Sequence, residues 1–358
     1  MNTWRDSPLR GLLGIAHPIL QAPMAGAQGH ELAVAVAAAG GLGAIPCALL
    51  KPEQVREEVA QFRRLAPGQP LNLNFFCHTM PAPDEARELA WRRRLRPYYL
   101  ELGVDPEGPI PVSNRNPFDA AACALVEELR PEVVSFHFGL PEPALLARVK
   151  AAGAKVLASA TTPAEARWLA ARGVDAVIAQ GSEAGGHRGV FLRDEVHSQI
   201  GTFALVPQVV DAAGGLPVIA AGGIAEERGI RAALALGAAA VQIGTAYLLS
   251  PQAKVSALHR AALQDPERAE VTALTNLFSG RPARSIVNRL MRELGPLSDA
   301  APAFPLAGGA LMPLRAAAEA RGSGDFMSLW SGQAAVLARA GDAGELTRAW
   351  AAALDSEA

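Results

Sequence analysis

The sequence predicts an α/β protein folded as a (β/α)8 TIM barrel with an additional, mostly helical part. Three observations lead there. Eight short apolar runs recur through the first 250 residues, nearly every interval between them reads as helix, and the last two runs end in glycine turns. Strands alternating with helices pair in parallel through right-handed crossovers, and eight such units make a closed barrel. A doubly wound open sheet is the rival. It lacks support, because no G-x-G-x-x-G follows the first run, and Gly40-Gly41-Leu42-Gly43 lies between a helix and a strand.

The units follow in order. Residues 18–22 read as the first strand, closed by Pro23-Met24-Ala25-Gly26. Residues 30–39 form an alanine-rich helix stopped by Gly40-Gly41, and 42–45 the second strand. Pro52 takes a favoured first-turn position in a helix over 52–65, before a third strand at 71–76. Helices at 119–129, 143–152, 163–172, 203–213 and 226–236 separate strands at 133–138, 155–159, 174–179, 216–221 and 239–243.

Two stretches break the pattern. Residues 79–118 are rich in proline, with a basic cluster at 92–96, and are too long and polar for a tight connection. They read as an excursion whose arginines form a solvated helix face. After residue 250 the strands stop. Residues 253–273, 283–294 and 311–319 read as helices, with a last helix from Leu329 into the alanine-rich end. The expected division is a barrel of residues 1–78 and 119–250 and a helical cap of 79–118 and 251–358.

Composition narrows the function. Half of the 358 residues are hydrophobic and the formal net charge is −2, with acids and bases interspersed. That gives no electrostatic footprint for nucleic acid or an anionic membrane. No apolar run is long enough to span a bilayer and the N-terminus lacks a signal-like stretch. Cys47, Cys77 and Cys123 are far apart without a C-x-x-C pair, so they read as reduced thiols in a cytoplasmic protein. No metal-ligand spacing, G-x-S-x-G elbow or P-loop is present, so no metal is expected.

The chemistry points to the strand ends. Residues 179–189 read Ala-Gln-Gly-Ser-Glu-Ala-Gly-Gly-His-Arg-Gly, which places His187 among four glycines after the sixth strand. Such glycines let a ligand approach the backbone, and an imidazole there can exchange a proton. The alternative is a flexible surface loop with a solvated histidine. Gly222-Gly223 follows the seventh strand and Gln242-Ile243-Gly244-Thr245 closes the eighth, where barrels of this kind hold phosphate. The alternative is that these glycines only end strands tightly. In 133–138, alternation places Ser135 and His137 on one face and Val134, Phe136 and Phe138 on the other. His137 then faces the barrel mouth, unless it is a buried structural residue. Asn74 and Gln180 end strands with amides that both donate and accept. His17, His30, His78, His197 and His259 read as surface or packing residues. Together these features indicate a phosphate-bearing organic cofactor with histidines near its reactive part.

With those residues placed, the chain resembles the nitronate monooxygenase family. The matching segments are Pro18 to Gly26, Asn72 to His78, Ser135 to Gly139, Gln180 to Gly189, Ala220 to Ile224, Gln242 to Thr245 and Phe278-Ser-Gly-Arg-Pro-Ala-Arg284. The resemblance implies FMN in the barrel and a second, substrate-side domain. It implies FMN contacts at Ala22, Pro23, Met24, Asn74, Gln180, Gly181, Gly185, Gly186, Gly222, Gly223 and the turn Gln242, Ile243, Gly244 and Thr245. His187 would be the active-site base, and His137 a second histidine beside the substrate. The implied reaction is oxidation of an alkyl nitronate, such as propionate 3-nitronate, by FMN and O2 to a carbonyl compound and nitrite. The expected partners are this small molecule and O2, with a homodimer as the assembly considered. The alternative is an NAD(P)H-dependent FMN reductase of the enoyl-ACP reductase II or quinone reductase kind. A flavin-binding barrel without catalysis is a third reading, opposed by the intact glycine turns and histidines. One departure stands out: residues 304–314 carry neither tyrosine nor lysine, where the family's bacterial members place both near the substrate.

Overall fold

A computed structural model of the protein describes residues 7–111, 115–193 and 196–355. Its strands are β1 (Ile19–Gln21), β2 (Gly43–Pro46), β3 (Leu71–Phe76), β4 (Val133–His137), β5 (Lys155–Ala160), β6 (Ala176–Gln180), β7 (Gly186–His187), β8 (Val218–Ala221), β9 (Ala240–Ile243), β10 (Thr272–Thr275) and β11 (Ala283–Ile286). Eight of them form one parallel sheet in the order β1-β9-β8-β6-β5-β4-β3-β2. A bridge between Leu20 and Leu42 joins its two edges. There the Gln21 N–H donates to the Leu42 carbonyl at 2.9 Å and the Leu42 N–H to that of Ile19 at 3.0 Å. The sheet is therefore closed into the expected barrel.

The sequence dictates this arrangement locally. Strands covered on both faces read as mostly apolar runs, and β3 and β6 are buried at every position, Asn72, Asn74 and Gln180 included. Two of the helices between them start on clear side-chain caps. Asp119 accepts from the Ala122 N–H at 2.8 Å, and Thr162 from that of Glu165 at 3.1 Å. Gly43 lets the helix His30–Ala38 lie directly on β2, since a Cβ there would come within 2.3 Å of the Ala33 carbonyl oxygen. At one end of the barrel the buried residues Leu9, Leu13 and Ile15 pack with Val133, Ala176 and Ala240, the first residues of their strands or next to them. This plug leaves the opposite end, where the strands terminate, for chemistry.

The tail differs from its expected form. Strands do not stop at residue 250. β10 and β11 are an antiparallel pair, and β11 also pairs with β7, aligning Ala283 with His187 and Arg284 with Gly186. The helix read over 253–273 is two short helices, Ala257–Gln264 and Pro266–Ala269, followed by β10. The helix read over 283–294 is β11 followed by a short helix, Arg289–Leu294. Alanine and arginine favour helix locally, but pairing with β7 and β10 overrides that preference. No helix runs on from Leu329. Trp330 instead bridges to Ser285, and the last helix spans Ala343–Asp355.

Two apolar clusters organise the tail. One joins Trp91, Leu95 and Tyr99 of the helix Glu85–Glu101 to Leu277, Leu290, Leu311 and Leu314. Its exposed side carries Arg93, Arg94 and Arg96, the solvated face expected, whereas Arg92 of the same cluster is half-buried and donates to the Pro106 and Gly108 carbonyls at 2.5 Å each. The other end of the tail returns to the barrel. Trp350, Ala351 and Leu354 of the last helix belong to the main core, and the Trp350 ring lies 5.2 Å from that of Tyr247. That helix packs between the helices His30–Ala38 and Glu227–Ala235, closing the helical ring outside the strands. Residues 343–355, counted with the cap from sequence, thus pack on the barrel.

Candidate active site

A cavity of about 450 Å3 opens at the C-terminal ends of the strands. Its wall includes Ala22, Pro23, Met24, Asn74, His137, Gln180, Gly185, Gly186, His187, Gly222, Gly223, Gln242, Gly244 and Thr245. The dispersed residues singled out from sequence therefore meet at one place. Two do not reach the cavity surface. Ile243 points into the barrel core, fully buried. Gly181 lies behind the wall, where a Cβ would come within 1.9 Å of the Thr202 hydroxyl oxygen.

One end of the cavity suits an anion. Gly222 and Gly223 both have positive φ, +106° and +71°. The N–H groups of Gly223 and Thr245 meet no acceptor among the described residues. Thr245 Oγ1 accepts from the N–H of Gly332, which brings the tail into this turn at 2.9 Å. Gln242 Oε1 is buried in the wall without a donor, the kind of acceptor that a heterocyclic N–H satisfies. Arg115, Lys254 and Arg315 line the cavity, and among the described residues no carboxylate does. Lys254 and Arg315 are paired with Glu31 at 2.9 Å and Glu319 at 3.1 Å. The glycine turns, the orphaned amide oxygen and the positive lining fit a phosphate-bearing heterocycle.

The other end holds the histidines. The stretch 179–189 is braced rather than loose. Arg188 is fully buried and donates to the carbonyls of Gly181 and Gln180, at 2.6 Å each, and to Gln199 at 2.8 Å. Gln180 clamps the same stretch, accepting from the Gly189 N–H at 2.7 Å and donating to the His187 carbonyl at 3.0 Å. Gly185 passes so close to the tail that a Cβ would come within 2.6 Å of the Gly332 nitrogen. A side chain there would push the two segments apart.

His137 and His187 have different settings. His137 Nε2 donates to the His187 carbonyl at 3.2 Å, and its Nδ1 lies 3.0 Å from the Ser159 hydroxyl. A carbonyl only accepts, so Nε2 carries the proton and Nδ1 accepts from Ser159. Burial pushes this imidazole down to about 3, so it stays neutral. Both its nitrogens hold protein groups, and its place is to support the backbone of His187. The next residue, Phe138, has φ +70°, an unusual conformation for an aromatic side chain and one that clusters at functional sites.

His187 Nε2 lies 2.9 Å from the hydroxyl of Ser279, and its ring lies 5.3 Å from Phe304 and 5.4 Å from Trp330. Burial, then Arg115, His137, Arg281 and His78 around it, hold its imidazole well below the ordinary histidine value. The aromatic enclosure and the nearby cations are what make the difference. Arg281 stacks its guanidinium 4.2 Å over Phe138 and donates to the Val190 carbonyl.

Several residues here were not anticipated. His259 lines the cavity and donates Nε2 to the Trp330 carbonyl at 3.1 Å. His78 is buried with its ring 4.8 Å from that of Phe304. Burial pushes each of these two imidazoles down to about 4. Trp330 and Gly332 could have been suspected, because Trp330-Ser331-Gly332 interrupts the helix expected there. Arg115 carried no pattern of its own, and Ser279 stood in the matching segment Phe278 to Arg284 without a role assigned to it. A cluster of His30, Glu31 and Glu58 has the spacing of a metal site, but the Lys254 ammonium already sits on both carboxylates, at 2.9 and 3.6 Å.

Known proteins share this architecture. The family described as Nitronate monooxygenase matches residues 6–350. A curated relative named nitronate monooxygenase, from Pseudomonas aeruginosa, is 46% identical over 343 residues, covering 94% of this chain and 96% of its own. One of the same name from Paraburkholderia phytofirmans is 43% identical, covering 94% and 91%. A crystal structure of nitroalkane oxidase from Streptomyces ansochromogenes is 40% identical, covers 97% of each chain and has a TM-score of 0.85. The structure of FabK from Thermotoga maritima is 26% identical, covers 98% and 96%, and has a TM-score of 0.71.

Proposed function

The chain belongs to the nitronate monooxygenase family, flavin-dependent oxidoreductases, and on that premise we propose that its flavin is FMN, held at the cavity described above. The reaction is oxidation of alkyl nitronates with O2 to a carbonyl compound and nitrite. The single observation that carries the site assignment is the meeting, in one cavity, of an amide-lined glycine turn with a neutral, enclosed histidine.

The residues divide the work between the two ends. The free N–H groups of Gly223 and Thr245 would take the phosphate, as backbone amides at a helix start do. Gln242, Asn74 and Met24 would contact the heterocycle. A single phosphate is favoured over a dinucleotide, because one such turn is present and no dinucleotide fingerprint is. Bound flavin supplies the electron acceptor for the nitronate and the partner for O2. Everything else falls to this chain. Arg115, a cation in the lining, attracts an anionic nitronate. Phe76, Phe304 and Trp330 exclude water around His187. His187 takes the α-proton when the substrate arrives as a neutral nitroalkane, a role that needs a neutral imidazole. The residues 79–118 and the tail up to Trp330 act as a substrate-side cap. Phe304 is the contribution of the segment that lacks tyrosine and lysine.

Purified protein tests this reading. It should be yellow, release FMN on denaturation, and form nitrite from propionate 3-nitronate in air. Under anaerobic mixing the nitronate should reduce the flavin, and NAD(P)H should not. Rapid reduction by NAD(P)H with no nitrite formed would replace this reading by the reductase alternative. Release of FAD would overturn the FMN assignment.

A further inference from the structure

Ser279 is fully buried on the tail and no role in the reaction follows from its sequence. Its hydroxyl lies 2.9 Å from His187 Nε2 and donates to the Arg281 carbonyl at 3.3 Å. A hydroxyl has one proton to give. If that proton goes to the carbonyl, the oxygen turns a lone pair to His187, and Nε2 must carry the ring proton. Nδ1 is then the basic nitrogen, and it has no hydrogen-bond partner among the described residues. His187 lines the cavity, so that nitrogen is available to a substrate.

The opposite arrangement serves a base poorly. With Ser279 donating to Nε2, Nδ1 would hold the ring proton and have no lone pair for a substrate. Taking a proton would then require breaking the Ser279 bond. With the proton on Nε2, the bond to Ser279 is the same before and after Nδ1 accepts one. The site is organised for both states of the ring, which is what lowers a proton-transfer barrier. The fixed position of Ser279 supports this. It lies in the segment Asn276–Gly280, where the Ser279 and Gly280 N–H groups both bond the Asn276 carbonyl, at 3.4 and 2.7 Å. The backbone of His187 is held just as firmly, by Gln180 and His137.

We propose that Ser279 is a positioning residue that fixes His187 as the Nε2–H tautomer and leaves Nδ1 as the nitrogen that takes the substrate proton. This rests on the reading of His187 as the base for neutral nitroalkanes, and the tests keep the two apart.

The first test needs no turnover. Nitrogen NMR of the flavin-loaded protein with labelled histidine, with His187→Asn to assign the signal, reports which ring nitrogen is protonated. Nε2–H is expected at pH 8, and Nδ1–H would overturn the proposal whatever the enzyme's activity. The second test uses Ser279→Ala and Ser279→Thr, each checked for unchanged flavin content. In Ser279→Ala, kcat/KM on nitroethane should fall about tenfold further than on ethyl nitronate, a fraction of what a general base contributes. Ser279→Thr keeps the hydroxyl and should restore most of the difference. Equal losses on both substrates, or no rescue by threonine, would make Ser279 a packing residue and overturn the proposal. Wild-type protein that oxidises ethyl nitronate but not nitroethane would instead remove the base reading, with the tautomer still decided by NMR.

Discussion

The two walls of the cavity are built by different means. The barrel wall consists of strand ends, each fixed by a strand on either side and a helix behind. It supplies Asn74, His137, Gln180 and the glycine turns. The tail wall consists of two four-residue strands, β10 and β11, and the irregular segment around Trp330. It supplies Trp330 to the lining, sets Ser279 and Phe304 against His187, and aligns Ala283 with His187. The difference teaches where function is set. On the proposed reading the barrel wall would cradle the cofactor, while the tail wall sets what surrounds His187.

The largest effect should come from removing the tail wall altogether. A chain ended after Ser250 loses β10, β11 and the helix whose Trp350 and Leu354 complete the main core. Uncovering that much apolar surface should leave an insoluble or flavin-free protein, read by solubility and visible absorbance. A soluble, yellow, active fragment would break the comparison, because the barrel wall would then suffice. A single substitution on the barrel side should do less. Thr245→Glu places a carboxylate beside the proposed phosphate, an interaction costing on the order of 1–4 kcal/mol at contact distance. FMN should bind about tenfold or more weakly in flavin-release titrations, and an unchanged affinity would move the phosphate elsewhere.

The legibility of the sequence divides along the same line. Strand runs such as 71–76 and 155–159 were readable because burial leaves short, mostly apolar runs between glycine and proline punctuation. The turns at Gly222 and Gly244 stood at strand ends and so declared themselves. Ala283 to Ile286 did not, because Ala-Arg-Ser-Ile is strand only when β7 and β10 are beside it. Ser279 and Trp330 reach His187 across 92 and 143 positions, a proximity no local pattern encodes. His187 itself was legible as a candidate, but its depressed basicity comes from neighbours that the chain brings in from four distant segments.

A smaller effect sharpens that last point. His78, His137 and His259 are pushed down to about 4, 3 and 4, against ordinary values near 6.5. A group whose folded value is depressed binds its proton more weakly folded than unfolded. Their contribution is therefore fully present above pH 6.5 and is lost as pH falls from there toward 4 and 3. Thermal stability should decline over that window, and His137→Gln should flatten the decline. A melting temperature independent of pH from 6.5 to 4 would contradict the buried, neutral histidines. The smallest effect expected is that of Arg115→Gln. It should raise KM for an anionic nitronate several-fold, as loss of a charge-assisted contact does, and leave KM for a neutral nitroalkane nearly unchanged. Equal changes would show that Arg115 shapes the cavity instead of attracting the anion.

The central claim is that the tail presents His187 as a neutral base beside the flavin. It is tested most directly by the rates of His187→Asn on a neutral nitroalkane and on its preformed nitronate. Turnover of the nitroalkane should fall by about 10²-fold or more. Oxidation of the nitronate, which has already lost the proton, should fall far less. Equal falls on both substrates, or no fall on either, would contradict the account.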